Sequence, residues 1–121
     1  MTISSLDINS FIESIPDNFL SELFHHYYRH GYDHLLLYPV MQLSNDQMKL
    51  ALKRYLERFI LENNNVDGKI DERRATLAPI VMRKDYKSLY DVIYYDQYFE
   101  EPLMHIANQN EKNYSLDHVS H

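Results

Sequence analysis

Residues 44–62, SNDQMKLALKRYLERFILE, decide the fold class. Ser44 followed by Gln47 is a capping-box pattern: the serine oxygen can accept from an orphan backbone N–H while the glutamine reaches back to the cap. Beyond it, Met48, Ala51, Leu52, Tyr55, Leu56, Phe59 and Ile60 recur at helical spacing, a broad apolar stripe that runs to Glu62. With two glycines and four prolines in 121 residues, turns are scarce, which favours long helices over many short strands.

Working outward, a helix is expected over about 5–14, capped by Ser4 or Ser5, with Leu6, Ile8, Phe11 and Ile12 on its apolar side. A second runs over about 17–30, with Asp17 as cap, Phe19, Leu20, Leu23, Phe24 and Tyr27 facing inward, and Gly31 as the left-handed stop. A short apolar turn is expected within 32–40. Asp71 is expected to cap a helix reaching about 83, bent or divided at Pro79. Tyr86, Leu89, Tyr90, Ile93, Tyr94 and Tyr98 follow a further helical face that should end at Glu101–Pro102, with a last turn over 103–107. The sequence thus predicts an all-α domain over 1–107, a compact single-domain bundle of five or six helices, followed by a mobile C-terminal tail: residues 108–121 are polar and lack periodicity, as in a disordered segment.

Charge is segregated along the chain. Residues 1–48 carry six acids against Arg29, 49–87 carry ten bases against six acids, and 88–121 carry six acids against Lys112, for a net charge of -6. Such segregation makes a field able to steer association. There are no cysteines, which excludes disulfides, thiolate metal sites and a cysteine nucleophile, and fits a reducing compartment. The longest apolar run is far short of the ~20 residues of a membrane-spanning helix, and the polar Met1–Ser10 resembles no signal peptide. A cytoplasmic protein is expected, with no membrane partner and with nucleic acid disfavoured by the acidic balance; self-association into a homo-oligomer remains open.

Four patterns invite a chemical reading. Glu22, His26, His30 and His34 are spaced by four and would share a ridge on a continuous helix, where imidazoles can converge on a metal; Gly31 argues against continuity to His34, and solvated surface histidines are the plainer reading. Arg29 and His34 have a spacing that resembles the active-site motif of the HEPN ribonucleases, and that resemblance implies a histidine acting as acid or base at a ribose hydroxyl. Residues 63–74, NNNVDGKIDERR, resemble an EF-hand loop: Asn63, Asn65, Asp67 and Asp71 fall on ligand positions and Gly68 on the sharp turn, while Arg74 stands where the bidentate glutamate belongs. A polar turn at Asp67–Gly68 followed by a helix cap accounts for the same residues. Finally, Arg54 and Arg58 lie one helical turn apart and can engage phosphates or pair with acids of the flanking blocks.

No glycine-rich phosphate loop or nucleophile motif is present, so the sequence favours a binding protein over an enzyme, acting without a cofactor. The surface expected to meet a partner is the acidic, tyrosine-rich segment Tyr90, Asp91, Tyr94, Tyr95, Asp96, Tyr98, Glu100 and Glu101. Tyrosine supplies rigid contact area and the acids attract a basic protein. The expected class is an inhibitor or immunity-type protein that neutralises a basic partner such as a toxin nuclease. A metal-binding module and a nucleic-acid binder or HEPN-like ribonuclease are the alternatives.

Overall fold

The computed structural model describes the backbone of residues 3–29, 42–62, 72, 74–94 and 96–119, and side chains within these except at 28, 29 and 110–119. It is an all-α fold: six α-helices and no strand occur among the described residues. The helices are α1 Ser5–Glu13, α2 Asp17–Arg29, α3 Asn45–Leu56, α4 Leu77–Arg83, α5 Leu89–Tyr94 and α6 Glu100–Val119.

The caps of α1 and α3 form as the sequence directs. Ser44 and Gln47 make the capping box of α3, and Ser4 makes one on α1 with Asp7. Each box satisfies backbone donors that no helical carbonyl can reach. Asp17 is the first residue of α2 and not its cap: the Pro16 carbonyl accepts from Leu20 N–H (3.1 Å). After Leu56 the third helix widens into a π turn over Glu57–Leu61, closed by Glu62 N–H to Glu57 O at 2.9 Å.

The two later prolines start helices and do not stop or bend them. Pro79 is the third residue of α4, and Pro102 the third of α6. Neither costs a hydrogen bond, because the first four helical N–H groups have no partner within the helix. The stretch 86–101 expected as one helix is therefore divided into a 3-10 turn Tyr86–Ser88, helix α5, a 3-10 turn Gln97–Phe99 and the start of α6. The α6 backbone continues helical to Val119, past the 103–107 turn expected from sequence. At the end of α4, Lys84 adopts the left-handed conformation (φ 53), with Asp85 N–H to Ile80 O at 3.0 Å and Lys84 N–H to Val81 O at 3.2 Å. Those two bonds are the Schellman pattern, here without its usual glycine.

Helix α3 is the axis of the bundle: it packs against α1, α2 and α6, while α4 lies on α1 and α5 lies on α2. Its stripe Met48, Ala51, Leu52, Tyr55 and Leu56 is buried as expected. On α1 the pattern holds for Ile8, Phe11 and Ile12 but not for Leu6, which is 76% exposed. The aromatic centre is Phe99, in edge contact with Phe24 (5.5 Å), Tyr27 (5.1 Å) and Tyr55 (5.3 Å). Of the line Tyr86, Tyr90, Tyr94 and Tyr98, none is fully buried; the division of that stretch hands the core to Leu89, Val92, Ile93 and Phe99 instead.

Candidate functional site

The interruption of the helix between α5 and α6 brings a carboxylate into the interior. Asp96 is 5% exposed, and among the described residues it is the buried polar or charged one. A buried carboxylate is tolerable only when paired and hydrogen-bonded. Asp96 Oδ2 accepts from Tyr55 OH (2.6 Å) and Arg74 Nε (3.0 Å), and Oδ1 accepts from Tyr98 N–H (3.0 Å), which also caps the 3-10 turn. Its backbone carbonyl accepts from Tyr27 OH at 3.2 Å. Burial first, then the Asp96 charge, pushes the Tyr55 phenol far above its ordinary range, so it remains a donor across the physiological interval.

Above this hub the cations stack. The Arg74 guanidinium lies 4.6 Å from the Phe59 ring centroid and 5.0 Å from that of Tyr98. Arg58 lies 5.2 and 5.7 Å from the same two rings, and its Nη1 donates to Glu101 Oε2 at 2.6 Å. Lys49 pairs with Glu13 at 3.5 Å. The basic middle block is thus joined to both acidic flanks, through Lys49–Glu13, Arg58–Glu101 and Arg74–Asp96. Arg74, which the EF-hand resemblance set in a calcium loop, serves the interior.

The expected partner surface separates into two groups. On α5, Asp91 is exposed and Tyr90 and Tyr94 are half-buried, their rings stacked at 5.8 Å with 18° between planes. Tyr90 also meets the edge of His26 of α2 at 5.4 Å. Glu100 is half-buried, while Tyr98 and exposed Glu101 face Arg58 of the π turn that follows α3. Asp96 differs from the expectation: its carboxylate is spent inside the fold and presents no charge to a partner. Tyr95 lies outside the described residues.

His30, His34, Asn63, Asn65, Asp67 and Asp71 also lie outside the described residues, as does the turn expected within 32–40. His26 is half-buried and Glu22 exposed on α2. Among the described residues no group of three or more histidines, aspartates and glutamates is placed to hold a metal ion, and no helix is long and apolar enough to cross a membrane.

Two of the clefts on the surface are lined by described residues. One of about 610 Å³ lies between α4 and α5, lined by residues that include Pro79, Ile80, Arg83, Asp85, Asp91 and Val92. The other, about 260 Å³, lies between α3 and α6 and is lined by Arg54, Tyr55, Arg58, Tyr98, Glu101, Pro102 and His105. His105 was invisible to sequence reasoning, since only the packing of α6 on α3 brings it to the arginines. No family model, curated protein or solved structure matches this chain.

Proposed function

We propose that this chain is a small acidic protein-binding module that engages a basic partner protein through the α5 face. The observation that carries the reading is the stacked, half-buried pair Tyr90 and Tyr94 beside exposed Asp91. Rigid aromatic rings, one of them, Tyr90, held against His26, offer contact area at little cost in side-chain entropy, and a neighbouring acid selects a cationic partner. Within this class the reading is an inhibitor or immunity-type protein that neutralises a partner such as a toxin nuclease. A net charge of -6 supports it, because an acidic inhibitor is drawn to a basic cleft and covers it.

The test is capture from the native source with the wild-type protein and with a Tyr90→Ala, Asp91→Lys, Tyr94→Ala variant side by side. The reading expects one stoichiometric basic protein on the wild type and its loss from the variant. Retention of the same protein by both refutes the α5 face, and recovery of no basic protein by either refutes the binding reading.

A further inference from the structure

We propose that the cleft between α3 and α6 is a binding site for a small phosphate monoester, gripped by Arg54 and Arg58 and latched in its empty state by Glu101. Arg54 and Arg58 stand one turn apart and both line the cleft, with His105 contributed from α6. Arg54 makes no ion pair among the described residues. Arg58 is committed to Glu101, but that carboxylate is 70% exposed and can leave into water.

Charge counting favours a dianion. With Glu101 in place the cleft has one net positive charge from its two arginines and one glutamate; when Glu101 swings out it has two. A monoanionic carboxylate would only repeat the contact that Glu101 already makes. A phosphate, with close to two negative charges at neutral pH and three strong acceptor oxygens, can use both guanidinium groups at once. The excess of acids elsewhere on the molecule does not cancel this, since exposed charges beyond about 8–10 Å are largely screened at physiological salt.

The walls suit the same ligand. Arg58 is held over the Phe59 and Tyr98 rings, which fixes its direction before any anion arrives. The Asp96 carboxylate beneath Tyr55 is matched by Arg74 at 3.0 Å, so it does not repel an anion from below. Half-buried Tyr98 and Pro102 give apolar area for the alcohol portion of a monoester. A volume of about 260 Å³ takes a phosphate and a few carbons, and is below the usual range of sites for drug-sized ligands.

The probes are inorganic phosphate and phenyl phosphate, titrated against the full chain by NMR chemical-shift mapping with sodium chloride at matched ionic strength as the reference. Saturable shifts are expected at residues around 54–58 and 98–105, at millimolar or lower concentration. Arg54→Gln should weaken binding about tenfold, the worth of one charge-assisted hydrogen bond. Glu101→Gln should tighten it severalfold by removing the competing carboxylate, whereas a purely structural Arg58–Glu101 pair would leave affinity unchanged. Phenyl phosphate should bind more tightly than inorganic phosphate. Shifts that sodium chloride reproduces, an affinity indifferent to Arg54→Gln, or a Glu101→Gln variant no tighter than wild type would each overturn the proposal.

Discussion

Replacing Asp96 by alanine tests the internal logic of the fold. The carboxylate is 5% exposed and accepts three hydrogen bonds, from Tyr55 at 2.6 Å, Arg74 at 3.0 Å and Tyr98 N–H at 3.0 Å. Its removal takes the carboxylate partner away from the Arg74 guanidinium, whose side chain is 13% exposed, and from the phenol of Tyr55, which is 1% exposed. Breaking a buried pair by deleting one partner typically costs about 3–5 kcal/mol. A buried donor left unmade costs about 1–3 kcal/mol more, and the two are not additive within one network. A loss of about 4 kcal/mol is expected, a large share of the roughly 5–15 kcal/mol available to a domain of this kind. Urea unfolding followed by circular dichroism measures it, as a lower midpoint with an unchanged slope. Pairing Asp96→Asn with Arg74→Met should cost less than the sum of the two single changes, since the double variant leaves neither charge stranded. For scale, Glu13→Ala, which breaks an exposed pair with Lys49, should cost no more than about 0.5 kcal/mol. A loss below about 1 kcal/mol for Asp96→Ala would refute the claim that this network holds α3 to the chain ahead of α6.

Two further outcomes follow from single residues. Lys84→Gly should stabilise by about 0.5–1 kcal/mol, because φ of 53 is a left-handed conformation that glycine adopts without a Cβ clash; the check is a higher urea midpoint. Tyr55 should make the fold sensitive to alkali. Its folded pKa lies above the unfolded value of 10.0, so its contribution is complete below pH 10 and falls by roughly 1.4 kcal/mol per pH unit above it. Stability measured across pH 9–11 should show that fall, and Tyr55→Phe should flatten it.

Local signals were legible because they act within a few residues. The Ser44 box, the α3 stripe and the inward face of α2 each rest on helical spacing and capping, which a linear sequence displays directly. The joining of the basic block to its flanks was legible in kind, though not in its partners. Pro79 and Pro102 misled because proline is compatible with a helix's first turn as well as with its end, and the distinction depends on where the preceding chain turns. The tyrosine line at 86, 90, 94 and 98 looked like one face only on the assumption of a continuous helix. Asp96 breaks that helix by capping the turn after it, and the same step buries its charge. Burial of an acid is decided by what meets it in space, here Tyr55 and Arg74, which lie 41 and 22 residues away. His105 joined the arginine cleft for the same reason.

The most direct test of the α5 docking face is the association rate of the captured basic protein with wild type and with Asp91→Lys, measured across salt concentration. The account predicts slower association for the variant and a weaker dependence on salt, with Tyr94→Ala acting mainly on dissociation. Association rates and salt dependence identical for wild type and Asp91→Lys would contradict it.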